Sequence, residues 1–261
     1  MTAEKSGSSI QSVQLAFGVL EAVAASQDGV GVSELAAQLG TTKGTIFRHL
    51  HTLLNCGYVM QNAATARYSL GVRSYLLGQS AGRIGIVEAA EIEARALRDE
   101  VGETAVVSLA TANSLVVTTT VRGTSLIEIG VRPGSELSLH ATAQGKVALA
   151  FSRHPLLKCA MATGFLRHTE ATICDIETIR DEIERVRANG YAVSSEEETR
   201  GISAIAAPIF DQTGDGVGTI ALVGLVNAIR LPPDPIQVEP LLRAAARISK
   251  GLGFRSQIAA G

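Results

Sequence analysis

Apolar residues recur every three to four positions through residues 10–80, then alternate with polar ones beyond residue 104, so the chain reads as helices first and strands later. Residues 1–9 are small, polar and unpatterned, the composition of a disordered tail. From Ile10 onward, Val13, Phe17, Leu20 and Val23 share one helical face, and a turn cluster at 26–29 ends the pattern. A short helix with Leu35, Ala36 and Leu39 follows. Ser33 suits its N-cap, Glu34 its first turn and Gly40 the position past its end. A third helix, capped by Thr41 or Thr42, buries Ile46, Leu50, Leu53 and Leu54 on a stripe within about 80°. Gly44, Thr45, Arg48, Thr52 and Asn55 take the opposite face. This is the outline of a helix-turn-helix. Residues 58–60 and 67–70 read as a hairpin that would form its wing.

Gly71 opens a further helical stretch, and the glycines at 82–85 mark a hinge. The Ala- and Glu-rich helix at 87–101 either links two domains or packs on the second. Strands are expected at 104–110, 115–121 and 126–131, then a short helix at 143–151. The helix at 175–189 has the clearest pattern, with Ile176, Ile179, Ile183 and Val186 on one side. Strands at 191–193, 202–210 and 217–223 and a last helix at 236–252 complete the chain. About six strands among helices predict an α+β domain. The expected division is a tail at 1–9, a winged helix-turn-helix at 10–80, a linker helix at 81–101 and a second domain at 102–261.

Composition narrows the function more by exclusion than by signal. No apolar run approaches a membrane span and the start has no signal-peptide pattern, so a cytoplasmic protein is expected, with no membrane partner. The three cysteines form no CxxC pair and read as buried small hydrophobes. Net charge is −2, so any affinity for nucleic acid rests on a few placed residues. The candidates are Thr41, Thr42, Lys43, Gly44 and Thr45 at a helix N-terminus, Arg48 and Thr52 on its free face, and Arg67 on the wing. Arg67 equally reads as a solvated loop residue. His49 and His51 read as packing or solvated residues, and no metal or cofactor is expected. Ser138, His140, Lys146 and Glu196 to Glu198 make a hydrolytic site only on paper, because no G-x-S-x-G elbow, HExxH or P-loop is present. Gly214, Gly216 and Gly218 precede a strand rather than a helix, which excludes a dinucleotide site. The triplet Glu196–Glu198 reads as a solvated loop and His140 as a loop-shaping residue. The reading is therefore not an enzyme. The alternatives are an enzyme or a DNA-independent small-molecule sensor built on the second domain.

Several short segments, weak alone, add up through order and spacing. They are Ser12-Val13, Val19-Leu20-Glu21, Ser33-Glu34-Leu35-Ala36, Thr45-Ile46-Phe47-Arg48-His49-Leu50, Gly57-Tyr58-Val59 and Tyr68-Ser69-Leu70-Gly71. In the second domain they are His140-Ala141-Thr142-Ala143-Gln144-Gly145-Lys146, Gly190-Tyr191-Ala192-Val193, Glu196-Glu197-Glu198, and 201–210 beginning Gly201-Ile202-Ser203-Ala204. With them the chain resembles the IclR (isocitrate-lyase-regulator) family of transcriptional regulators over nearly its whole length. The resemblance implies a winged helix-turn-helix, a linker helix and a GAF- or PAS-like α+β effector domain. It implies a homodimer or homotetramer on a palindromic double-stranded DNA operator near a catabolic operon, repressor or activator, with RNA polymerase among the expected partners. It also implies a small organic acid effector. The matching effector positions are Thr142, Ala143, Gln144, Ser194, Ser203, Ala204, Ala221 and Val223. Of Ser194, Ala204, Ala221 and Val223 only Ser194 carries a hydroxyl, which suits a ligand with an apolar body and one polar end, such as an aromatic acid.

Overall fold

The computed structural model describes residues 10–26, 28–80, 84–126 and 129–254, and divides into two compact units, Met1–Ile84 and Gly85–Gly261. The expected tail at 1–9 lies outside the described residues, as do most of the hinge and the centre of the strand expected at 126–131.

The first unit is built on α1 (Gln11–Ala24), α2 (Val32–Gln38) and α3 (Lys43–Asn55). A two-stranded hairpin, β1 (Val59–Gln61) with β2 (Tyr68–Leu70), and α4 (Val72–Ser80) follow. Val19, Val23, Leu35, Ile46, Leu50, Val59 and Tyr68 meet in its core. Of the stripe predicted for α3, Ile46, Leu50 and Leu53 are buried and Leu54 is half-buried against the same core. The face of α1 is rotated: the expected Val23 is buried, but Val13 and Phe17 are 47% and 58% exposed, and Val19 and Ala22 join Val23 in the core. Helix α1 is apolar on more than one side, so spacing alone placed only part of its buried face. Helix α2 starts earlier than expected, at Val32 with Gly31 as its N-cap, so Ser33 is not its cap. The Gly31 N–H instead donates to Glu34 Oε2 at 3.3 Å.

The second unit carries α5 (Ile84–Val101), β3 (Thr104–Ala110), β4 (Leu115–Val121), α6 (Ala143–Phe151), α7 (Leu156–Thr163) and α8 (Ile176–Asn189). It continues through β5 (Ala192–Ser195), β6 (Ile202–Phe210), β7 (Gly216–Leu225) and α9 (Pro235–Gly251). The strands form one antiparallel sheet in the order β4-β3-β7-β6-β5. Side-chain alternation gives this sheet two unlike faces. Ala105, Val107, Ile205, Ile209, Ile220 and Leu222 pack with Ala90, Ala94 and Leu97 of α5 and Leu241 and Ile248 of α9. Val106, Ala206, Ala221 and Val223 pack with α6 and α8. That second face is lined by small side chains, and α6 lies on it with residues 143–150 all buried.

Three expectations fail here. Residues 129–131 form no strand: Thr104 and Thr120 donate their hydroxyls to the carbonyls of Ile129 and Val131, both at 2.5 Å, and a loop runs beside β4 instead. Helix α7 has no counterpart in the pattern, because it is apolar nearly throughout. The cysteines are not buried: Cys56 is exposed in the turn that ends α3, and Cys159 and Cys174 are half-buried.

Candidate functional site

Two sites emerge, one on each unit. On the first, Thr42 caps α3, its Oγ1 accepting from the Thr45 N–H at 3.2 Å and lying 2.9 Å from Thr45 Oγ1. Lys43, Gly44, Arg48 and Thr52 are exposed, and Thr41 and Thr45 half-buried. The Thr52 hydroxyl donates to the Arg48 carbonyl at 3.0 Å, which keeps it on the helix surface. A Cβ built on Gly44 would meet nothing within 4 Å, so no contact inside the protein calls for glycine there. Arg67 is placed differently. Its guanidinium donates to the Gly29 carbonyl at 3.0 Å and to Glu34 Oε2 at 2.8 Å, tying the wing to the turn before α2.

On the second unit a cavity of about 280 Å³ opens where the N-terminus of α6 meets the small-residue face of the sheet. Thr142, Ala143, Gln144, Ser194, Ser203, Ala204 and Val223 line it. Ala221 does not: it is fully buried between Val106 and Ala206, deeper than the cavity reaches. It was a candidate through the family resemblance alone. Ser135, Glu136, Leu137, Glu198, Thr199 and Ile202 complete most of the wall, and none of these was an effector candidate from the sequence.

Several polar groups at the wall are already engaged. Gln144 turns its amide away, with Nε2 at 2.9 Å from Thr219 Oγ1 and 3.0 Å from Ser108 Oγ. Ser194 donates to the Ala141 carbonyl at 2.8 Å, and Ser203 Oγ pairs with Ser195 Oγ at 2.8 Å. Thr142 donates to the Ser138 carbonyl at 2.7 Å and accepts from the Gly145 N–H at 2.9 Å. That cap leaves the first two N–H groups of α6, on Ala143 and Gln144, without intrahelical acceptors. They form the electropositive end of the cavity.

Gly145 lets α6 seat there, because a Cβ would stand 2.3 Å from the Ser138 carbonyl oxygen and 2.6 Å from Leu139 Cα. Lys146 locks the next turn. Its Nζ donates to Glu197 Oε1 at 2.6 Å, Val193 O at 3.0 Å and Glu182 Oε1 at 3.3 Å, joining α6, α8 and β5. The acidic triplet is therefore no solvated loop, since Glu197 is 8% exposed. Its partner lies 51 residues back along the chain, out of reach of local pattern. Burial pushes the Glu197 carboxyl above its ordinary range, against the opposing pull of Lys146. His140 sits between Ser138 Oγ at 3.2 Å and the Leu166 carbonyl at 2.9 Å, a loop-holding position. Among the described residues no group of three metal-ligating side chains comes together, and no helix is long and apolar enough to cross a membrane.

A winged helix-turn-helix with a free polar face, joined in one chain to a domain with a ligand-sized cavity, defines a ligand-responsive transcriptional regulator. The IclR helix-turn-helix domain model matches residues 12–63, and the bacterial transcriptional regulator IclR C-terminal model matches residues 78–250. The chain belongs to the IclR family. It is similar to the HTH-type transcriptional regulator KdgR of Escherichia coli K12, at 29% identity covering 96% of each chain. It is 31% identical to the glycerol operon regulatory protein of Streptomyces coelicolor, covering 94% of this chain and 97% of that one. A crystal structure of an IclR regulator from Alicyclobacillus acidocaldarius superposes with a TM-score of 0.78 at 26% identity, covering 94% of this chain and 100% of the other. The relatives are named regulators and repressors, not enzymes.

Proposed function

We propose that this regulator binds a palindromic operator beside a catabolic operon in the cytoplasm. A small organic effector in the cavity at the α6 N-terminus would change that binding. The observation that carries the reading is the geometry of α3: Gly44, Thr45, Arg48 and Thr52 lie opposite the buried Ile46, Leu50 and Leu53. Such a face, with short side chains and one guanidinium, fits a major groove, and the capped N-terminus offers N–H groups to phosphate. Thr41, Thr42 and Lys43 are assigned to phosphate, Arg48 to a base edge. Arg67 is assigned to holding the wing for backbone contact.

With only five basic residues in the first 80, one copy of this unit binds weakly. Two copies on a palindrome resolve this, and exposed apolar side chains on α1 (Val13, Phe17), on Ile10 just before it and on α4 (Val72, Leu77) support pairing through these helices. The glycerol-operon name of one relative supports a catabolic setting. For the effector, the free N–H groups of α6 favour an oxygen-bearing end, such as the carboxylate of an organic or aromatic acid, over an apolar body against Ala143, Ala204 and Val223.

Fluorescence anisotropy on DNA upstream of the gene tests the reading. Arg48→Ala should weaken binding by about 1–3 kcal/mol if the guanidinium reads a base. Equal affinity of the variant and the native chain would remove Arg48 as a base-reading residue.

A further inference from the structure

We infer that Phe47 reads a thymine of the operator, its ring set against the 5-methyl group in the major groove. This rests on α3 being the reading helix. At about 100° per residue, the exposed residues of α3 run from Lys43 to Thr52 around an arc of about 180°, centred between His51 and Gly44. Thr45 and His49 are half-buried and bound that arc on the Thr52 side, which turns the free face toward Phe47. Phe47 and Arg48 stand about 50° to either side of its centre. A groove that admits the Arg48 guanidinium therefore admits the phenyl ring.

Phe47 is 54% exposed and lies outside the core of its unit. One turn on, the His51 ring stands 6.3 Å from it at a tilt of 32°, and His51 Nδ1 accepts from the Asn55 amide at 3.3 Å. The ring thus has a neighbour already held in place, which lowers the cost of ordering it on DNA. One turn earlier, Gly44 has no side chain to cover it, and a Cβ there would meet nothing within 4 Å. The hydroxyls that could compete for a base edge are tied to the helix: Thr45 Oγ1 lies 2.9 Å from Thr42 Oγ1, and Thr52 donates to the Arg48 carbonyl. Of the base edges in a major groove, only that of thymine offers an apolar group, its 5-methyl. A ring that makes no hydrogen bond distinguishes bases there by that methyl.

The test is fluorescence anisotropy of the full chain on the DNA upstream of the gene that it protects from nuclease. Thymines are replaced by deoxyuridine at one symmetric pair of positions at a time, which removes only the methyl groups. At one such pair the native chain should bind about fourfold more weakly per half-site, the value of one buried methyl. Phe47→Ala should bind the thymine duplex more weakly than the native chain does and should bind the thymine and uracil duplexes equally. Phe47→Leu, still apolar, should keep part of the preference. The melting temperature of Phe47→Ala should match the native one, so that lost binding is not lost folding. A native chain without thymine preference at any position, while Arg48→Ala binds more weakly, overturns the inference alone. A preference that survives Phe47→Ala, with both duplexes weakened alike, makes Phe47 a subunit or backbone contact and also overturns it. Native affinity for the thymine duplex in both Arg48→Ala and Phe47→Ala instead overturns α3 as the reading helix, and the inference with it.

Discussion

Replacing Lys146 by methionine removes the cation from a buried three-element junction. The side chains of Lys146, Glu197 and Glu182 are 4%, 10% and 14% exposed, so the two carboxylates left behind would lie close together with little water. Breaking a buried pair by deleting one partner costs about 3–5 kcal/mol. Here Glu197 is orphaned while Glu182 keeps Arg185 at 2.6 Å, which places Lys146→Met within that range. At roughly 2–4 °C per kcal/mol for a domain of this size, the melting temperature should fall by about 6–20 °C. Glu197→Gln should cost less, because Lys146 keeps Glu182 and the Val193 carbonyl. The double variant Lys146→Met/Glu197→Gln should recover much of the loss, since desolvation of such a pair rivals its attraction.

The pH dependence has a defined sign. Burial raises the Glu197 carboxyl above 4.5, so the folded chain holds that proton to higher pH than the unfolded chain. Its contribution to stability is complete below 4.5 and is lost as pH rises through the folded value. Without Lys146 the value rises further, so the deficit of Lys146→Met should narrow on acidification as Glu197 takes a proton. Urea titrations followed by circular dichroism at two pH values measure all of this. A Lys146→Met chain within about 1 kcal/mol of the native one, or a double variant no better than the single, would refute the reasoning.

Gly44→Ala should stabilise the first unit by about 0.5–1 kcal/mol, because helical glycine is costly and the new methyl meets no protein atom, yet weaken operator binding if α3 enters the groove there; calorimetry and anisotropy together check the opposite signs. Gly145→Ala forces a Cβ into the Ser138 backbone and should both destabilise the second unit and displace the α6 end of the cavity, read as a lowered melting temperature and loss of ligand-induced shift. Arg67→Ala removes a bond to the Gly29 carbonyl and an exposed pair with Glu34, a loss of about 1–2 kcal/mol. Faster amide exchange in 58–70 would show the wing released, and unchanged exchange would count against that role.

Much of this architecture is legible in the residues, and the exceptions have physical causes. The stripes of α3 and α8 are strongly amphipathic, so spacing finds both the buried side and the free one. In α1 the exposed Val13 and Phe17 mimic a core face, because an exposed apolar stripe looks the same as a core in sequence. The cavity positions drawn from the resemblance mostly meet in space, but their chemistry does not follow from residue type. Gln144 looks like a ligand-binding amide and is spent on Thr219 and Ser108; Ser194 looks like a free hydroxyl and is spent on Ala141. Glu197 and Glu198 are neighbours in a charged run, yet one closes an internal ion pair and the other lines the cavity. Only the fold, which brings Lys146 beneath the first, separates them.

The central claim is that occupancy of the α6 cavity governs operator binding by α3. Anisotropy titrations on operator DNA, with and without the strongest ligand from a thermal-shift screen of small organic acids, test it in the native chain and in Ala204→Phe, whose ring would fill the cavity. The account predicts that the ligand shifts operator affinity of the native chain by at least about fivefold, a coupling of about 1 kcal/mol, and leaves Ala204→Phe unmoved. A ligand that binds the cavity yet leaves operator affinity of the native chain unchanged would contradict it.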